Sequence, residues 1–177
     1  LLGREDMSEG RRPPWFPLFL DVAGRLCVVI GCGGEAAGRV LRLVECGARG
    51  RLVAERLPGG LEPLLAASAF EWLARAYRPG DLEGAFLAVA DDTPTVNAAI
   101  WREAERERIL LNAADDRAHC HAIVPSLLRR GDLAIAVSTA GRSPALAIRI
   151  RRELEERYGP EYEEYGDLLG RLRDPVA

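Results

Sequence analysis

The chain has 177 residues, of which 48% are hydrophobic and 29% charged, and its formal net charge is −3. This composition is typical of a globular protein that buries its own core. The small net charge excludes a strongly basic surface for nucleic acid or an anionic membrane. No apolar run approaches the roughly 20 residues of a membrane span. All 24 basic residues are arginine, which excludes Schiff-base chemistry on a lysine.

The cysteine and histidine spacing predicts no metal site. The four cysteines form no C-x-x-C pair, and His119 and His121 lack the spacing of zinc ligands. We expect reduced thiols, as in a cytoplasmic protein. Residues 1–14 are polar and lack the apolar segment of a signal peptide, so we expect a disordered lead-in there.

The first two thirds of the chain alternates strand and helix patterns. Continuous apolar runs predict strands at 26–30, 51–54, 70–77, 85–90 and 109–112. Apolar residues at helical spacing predict helices at 35–46, 61–67 and 93–108, the last with Thr93 as N-cap and Pro94 in its first turn. This alternation predicts an α/β fold with a Rossmann-like, doubly wound parallel sheet.

The alternation stops after residue 114. Apolar runs predict strands at 121–127 and 132–138, and helices follow at about 143–158 and 161–173. This part is too small for a large core of its own, so we expect a small α+β and helical region that forms a homodimer. The predicted division is an NAD-binding domain at 15–114, a dimerisation and substrate region at 115–144, and a helical region at 145–177.

A glycine-rich turn follows the first strand. Its residues fit the pattern G-x-G-x-x-A and are Gly31, Cys32, Gly33, Gly34, Glu35 and Ala36. Between a buried strand and a helix, this pattern is typical of a dinucleotide site, where the second glycine lets the backbone approach a pyrophosphate. The alternative is a tight turn that binds nothing.

Glu55 lies where a ribose-binding carboxylate is expected, about 20 residues further on. A carboxylate there would repel a 2′-phosphate and favour NAD over NADP. Arg56 beside it weakens that argument, and a solvated loop acid is nearly as good an interpretation.

Four motifs in order carry a resemblance to a known family. They are PLFLDV at 17–22, VADDTPTVN at 89–97, LNAADD at 111–116 with Cys120 and Pro125, and STAGRSP at 138–144. Together with the glycine turn, they resemble precorrin-2 dehydrogenase, the dehydrogenase and ferrochelatase module of siroheme synthase. The resemblance covers about residues 15 to 175.

The resemblance implies that the chain oxidises a tetrapyrrole, precorrin-2, to sirohydrochlorin with NAD⁺. Some family members also insert Fe²⁺, and whether this chain does so stays open. Family members are homodimers. The resemblance makes Asp115 the acid–base residue and adds Ala90 and Asp91 to the cofactor contacts. The family usually has Gly at Cys32, Lys at Arg39 and Thr at Asp91, so an acid at Asp91 is unexpected.

Two further groups are candidate site residues. Asp115 and Asp116 follow a strand end, and adjacent carboxylates are expected to raise each other's pKa; the alternative is a turn with solvated acids. Four residues, Ser138, Thr139, Gly141 and Arg142, could hold substrate carboxylates. The alternative is a loop in which Ser143 caps the next helix. For His119 and His121 we favour a surface or packing role.

A second class of function stays open from sequence alone. The chain could be a regulatory module that senses NAD(H) without catalysis, because a dinucleotide fold does not by itself imply a reaction.

Overall fold

The computed structural model describes residues 14–67 and 69–173. The predicted lead-in at 1–14 lies outside them, apart from Pro14. The described residues divide into two units, 20–124 and a second unit made of 14–19 with 125–173. In the described part of the chain, no helix is both long and apolar enough to cross a membrane.

The first unit is a five-stranded parallel sheet with helices. Its elements in chain order are β1 (Leu26–Ile30), α1 (Ala36–Glu45), β2 (Arg49–Val53), α2 (Glu62–Ala66), β3 (Phe70–Leu73), β4 (Leu87–Ala90), α3 (Pro94–Glu107) and β5 (Leu110–Ala113). The strand order is β3-β2-β1-β4-β5, and every pair is parallel. The predicted Rossmann-like fold is confirmed.

The two faces of this sheet bury separate apolar clusters, because successive strand residues point to opposite faces. Cys27 and Val29 of β1 pack with Val40 of α1 on one face. Val28 and Ile30 pack with Ile100 of α3 on the other. Burial raises the pKa of the Cys27 thiol to about 11. The central strand is therefore apolar throughout, as its sequence predicts.

One carboxylate, that of Glu103 on α3, lies inside this core with 3% of its surface exposed. It accepts hydrogen bonds from the backbone N–H groups of Gly80 and Leu82, each at 3.0 Å, and from the hydroxyl of Tyr77. Burial and this carboxylate raise the pKa of Tyr77. Glu103 thus ties the connection before β4 to α3, and its buried carboxylate has hydrogen-bond partners.

The free edge of β5 is occupied by the segment that follows a short 3-10 helix, Arg117–His119. The N–H groups of His121 and Ala122 both donate to the carbonyl of Leu111, at 2.8 and 3.1 Å. In return, the N–H of Leu111 donates to Nδ1 of His121, and the N–H of Ala113 donates to Sγ of Cys120. Side chains and irregular backbone therefore satisfy the polar groups of this edge.

The second unit contains an antiparallel pair, β6 (Ser126–Arg130) and β7 (Leu133–Val137), and two helices, α4 (Pro144–Arg157) and α5 (Glu161–Arg173). The strand predicted at 121–127 is wrong, because β6 begins only at Ser126. Residues 121 and 122 bond to β5 instead, and Pro125 has no N–H for a ladder. Leu128 and Ala147 form a small buried centre in this unit.

Candidate active site

The candidate site lies where the order of the sheet reverses. The chain goes outward from β1 through β2 to β3, then returns to β4 on the other side of β1. The carboxyl ends of β1 and β4 therefore stand side by side, and ligands of open α/β sheets bind at such a switch point. Gly31 follows β1 and Asp91 follows β4.

The glycine turn depends on the missing side chains of Gly31 and Gly33. Gly31 has φ +100°, and a Cβ there would lie 2.1 Å from the carbonyl oxygen of Asp91. Its N–H donates to the carbonyl of Val53 at 2.9 Å, which joins the turn to β2. Residues 32–35 are exposed, and no atom lies within 4 Å of a Cβ placed on Gly34. The exposed backbone of the turn forms a cradle for a pyrophosphate.

The carboxylate of Asp91 lies at the N-terminus of α1. Its Oδ2 accepts hydrogen bonds from the N–H groups of Glu35 at 2.9 Å and Ala36 at 2.8 Å. Glu35 itself is the N-cap residue and makes no side-chain cap. Asp91 therefore supplies the negative charge that a helix N-terminus favours, from 55 residues away in sequence.

Gly33 is needed for this contact as well as for any ligand. A Cβ on Gly33 would lie 2.2 Å from Oδ1 of Asp91. The sequence argument gave pyrophosphate approach as the reason for a glycine at this position. The structure adds a second reason, the carboxylate of the chain's own Asp91.

Arg39 lies one turn into α1 and adds positive charge to this end of the helix. One guanidinium nitrogen bonds the carboxylate of Glu35 at 2.6 Å. Its Nε is buried and has no hydrogen-bond partner among the described residues. Burial lowers the pKa of Arg39, while the charges of Glu35 and Asp91 raise it. Arg39 thus places a guanidinium beside the turn, at a position where the resemblance implies a lysine.

The remaining predicted cofactor residues are placed at the same edge. Glu55 is exposed and lies two residues beyond the end of β2. Cys32 is an exposed thiol in the turn itself. Ala36 and Ala90 are completely buried. The residues of this edge fit a dinucleotide, and Asp91 accepts hydrogen bonds from N–H groups that a pyrophosphate would also use.

Asp115 lies two residues beyond β5 and is exposed. Its φ is +55°, a left-handed conformation that costs free energy for a residue other than glycine. Asp116 contacts Nδ1 of His119 at 2.6 Å, and this hydrogen bond holds the pKa of the Asp116 carboxyl below its usual range. The expectation that the two acids raise each other's pKa is therefore wrong for Asp116, because His119 dominates it.

The two histidines pack against one aromatic residue that the sequence argument did not connect with them. Trp101 of α3 stacks on His121 with ring centroids 4.4 Å apart, and its centroid lies 5.5 Å from that of His119. His121 also bonds Glu105 through Nε2. His121 does not lie on a strand, although the sequence predicted one at 121–127. The packing role favoured for both histidines agrees with these contacts. In the described residues, no cluster of three or more side chains could hold a metal ion.

The predicted substrate loop belongs to the second unit and is closed by its own hydroxyls. Oγ of Ser138 accepts from the N–H of Ala140 at 3.0 Å, and Oγ1 of Thr139 accepts from the N–H of Ser143 at 3.1 Å. Gly141 has φ +72°, and Arg142 is exposed. Ser143 occupies the N-cap position of α4 but makes no side-chain cap, so its predicted capping role is wrong.

Comparison with known sequence families decides the class of this protein. The family described as putative NAD(P)-binding matches residues 18–126. The chain belongs to this family. A second family, described as sirohaem biosynthesis protein central, matches residues 130–157. The two matches cover residues 18–126 and 130–157, so each unit contains a match.

The relatives bear out the resemblance inferred from the motifs. The chain is 35% identical over 163 residues to siroheme synthase 1 of Serratia proteamaculans, and equally so to a siroheme synthase of Neisseria meningitidis. Each alignment covers 92% of this chain and 34% of the relative, so the chain spans about a third of their length. A solved structure, SirC, a precorrin-2 dehydrogenase, superposes with a TM-score of 0.73 at 25% identity, covering 90% of this chain and 79% of that one. The resemblance to the precorrin-2 dehydrogenase module is confirmed.

Proposed function

We propose that the chain is an NAD-dependent dehydrogenase that oxidises precorrin-2 to sirohydrochlorin in siroheme biosynthesis. One observation carries this proposal. The exposed glycine turn lies at the switch point of the sheet, in a fold that follows a precorrin-2 dehydrogenase over 90% of the chain. The siroheme synthases and that dehydrogenase are biosynthetic enzymes by name, and they give no support to the regulatory alternative.

The chain's own residues have separate tasks in this reaction. The turn at 31–36 would hold the pyrophosphate, and Glu55 would bond the ribose hydroxyls and so favour NAD. When bound, NAD⁺ supplies the acceptor for the hydride. The substrate gives up that hydride and a proton, so a base must take the proton.

Asp115 is the base we assign. It is exposed at the carboxyl end of a sheet strand, the side on which ligands of this fold bind. Asp116 is a poor alternative, because a carboxyl whose pKa is lowered by His119 holds a proton weakly. The left-handed backbone of Asp115 supports a functional role, since such strain persists where a site requires it.

The substrate carries carboxylates, which we assign to Ser138, Thr139, Gly141 and Arg142. Fe²⁺ would be a second substrate if the chain also inserts iron, a lyase activity that we assign to Asp115 as well. We retain the division into an NAD-binding domain at 15–114, a substrate and dimerisation region at 115–144 and a helical region at 145–177.

Exposed apolar side chains support a homodimer. Leu146 and Ile148 of α4, and Leu168, Leu169 and Leu172 of α5, are exposed in the second unit. Large apolar side chains exposed together are typical of an interaction surface. We propose that two copies share this region in an isologous contact. We propose a cytoplasmic location, where cysteine thiols stay reduced.

Mixing the protein with precorrin-2 and NAD⁺ tests the reaction, with the near-ultraviolet absorbance of NADH as the readout. The wild type should produce NADH. Asp115→Asn should bind NAD⁺ normally and lose at least about 10²-fold in kcat, roughly 2.7 kcal/mol of barrier. Asp116→Asn is the matched control and should lose less. NAD⁺ binding without turnover by the wild type would instead support the sensor, and near-normal turnover by Asp115→Asn would remove Asp115 from the mechanism.

A further inference from the structure

The pyrophosphate is expected to bind at the N-terminus of α1, but the carboxylate of Asp91 already lies there. Oδ2 of Asp91 accepts hydrogen bonds from the N–H groups of Glu35 and Ala36, at 2.9 and 2.8 Å. In the dinucleotide folds, backbone N–H groups at the start of this helix face the phosphates. The carboxylate and the cofactor therefore require the same donors.

The cradle of the turn is filled by the same carboxyl group. The three atoms nearest to a Cβ built on Gly33 are Oδ1, Cγ and Oδ2 of Asp91, at 2.2, 2.4 and 2.6 Å. The space that the second glycine keeps free for a close ligand is thus the space in which Asp91 lies. Asp91 is partly exposed, so its carboxylate can leave towards water.

The surrounding charges fit exchange of one anion for another. The positive charge of Arg39 acts on Asp91 across the turn. A pyrophosphate entering beside a retained Asp91 would meet a like charge at close range, and like charges at such distance repel strongly. The cofactor binds well only if the carboxylate moves aside.

We propose that Asp91 is an internal competitor for the pyrophosphate site, which occupies the site in the free protein and lowers its affinity for NAD⁺. The proposal rests on the proposed function and adds a residue that sets cofactor affinity. The carboxylate stabilises the empty turn as a helix cap, and its displacement is part of the free-energy cost of binding. Removal of the carboxylate should therefore lower the stability of the free protein and raise its affinity for NAD⁺.

Calorimetric titration with NAD⁺ and thermal melting of the free protein test this pair of effects. Asp91→Ala should bind NAD⁺ at least about tenfold more tightly, equivalent to 1.4 kcal/mol, while the free protein melts about 2–4 °C lower. Asp91→Asn keeps an acceptor for the helix N–H groups and lacks the charge, so it should melt near the wild type and still bind more tightly. Glu45→Gln removes the same charge from an exposed position at the last residue of α1, where the helix dipole disfavours a negative charge. It should leave the affinity for NAD⁺ unchanged and should not lower the melting temperature.

The opposite signs distinguish competition from a merely structural role. If Asp91 only supported the turn, Asp91→Ala would melt at a lower temperature and bind NAD⁺ equally well or more weakly. That result would overturn this inference and leave the proposed function intact. If neither the wild type nor the folded Asp91→Asn variant bound NAD⁺, the proposed function itself would fall, and the inference with it. Amide proton shifts of Glu35 and Ala36 in the free wild type and in Asp91→Ala check that the carboxylate occupies the turn.

Discussion

Gly33→Ala should reveal how closely the glycine turn and Asp91 are interlocked. Gly33 is not among the residues with positive φ, so alanine meets no backbone strain there. Its methyl group would lie 2.2 Å from Oδ1 of Asp91, and it must push the carboxylate away from the N-terminus of α1. The loss of such a cap costs about 0.5–2 kcal/mol. We expect the melting temperature to fall by about 2–4 °C for each kcal/mol.

A double-mutant cycle measures the interlock. Asp91→Ala should cost about the same as Gly33→Ala, since both remove the cap. With Asp91→Ala already present, Gly33→Ala should cost nothing, because the atoms it would strike are gone. The coupling free energy should then equal the cost of Gly33→Ala alone, about 0.5–2 kcal/mol, within the range for residues in contact. Chemical denaturation of the four proteins gives the cycle directly.

Gly31→Ala is the control for this cycle. Its methyl group would lie 2.1 Å from the main-chain oxygen of Asp91, at a φ of +100°, and Asp91→Ala removes neither obstacle. Gly31→Ala should therefore destabilise the protein equally in both backgrounds. The reasoning is refuted if Gly33→Ala costs the same with and without the Asp91 side chain, because the clash must then lie elsewhere.

Three further predictions follow from contacts described above. Glu103→Gln cannot accept all the bonds of the buried carboxylate and should cost about 1–3 kcal/mol in the free energy of unfolding, whereas Glu107→Gln on the exposed face of the same helix should stay within about 0.5 kcal/mol; equal losses in urea denaturation would contradict this. The lowered pKa of Asp116 means that its contact with His119 stabilises the folded state above the unfolded pKa of about 3.9, and that this stability is lost as pH falls through the lower folded pKa. The melting temperatures of the wild type and Asp116→Asn should thus differ most above about pH 5 and converge in stronger acid, and a constant difference would count against the contact. Glu55→Gln should reduce the preference in kcat/KM for NAD⁺ over NADP⁺; an unchanged ratio would show that Glu55 does not contact the ribose.

The parallel sheet could be predicted because strands buried on both faces are apolar throughout. The run Leu26–Ile30 before Gly31 shows this directly, and the structure places β1 at the same residues. The second unit was harder to predict. The run at 121–127 looks like a strand, but its backbone bonds to the edge of β5, and no local pattern shows such a partner.

The sequence motifs propose a set of candidate site residues, but they do not give the contacts that those residues make. The motifs identified Asp91 as a departure from the family. Its carboxylate reaches the N-terminus of α1 because β1 and β4 are neighbours in the sheet, and this depends on the strand order. Likewise, the sequence suggested that Asp115 raises the pKa of its neighbour Asp116. The 3-10 turn instead brings His119 to the carboxylate of Asp116. Asp91 lies 55 residues from Ala36 in sequence, so local spacing could not show that contact.

The segment along β5 also has a consequence for how sheets of separate molecules can join. An exposed strand edge is a template on which another chain can add a strand, and it therefore favours aggregation. On β5, Leu111 and Ala113 already bond within the chain, through the backbone of His121 and Ala122 and through the side chains of His121 and Cys120. A sixth strand from a second molecule would have to displace these bonds. The parallel sheet is therefore closed to growth on this side, and copies of the protein that associate must do so through other surfaces.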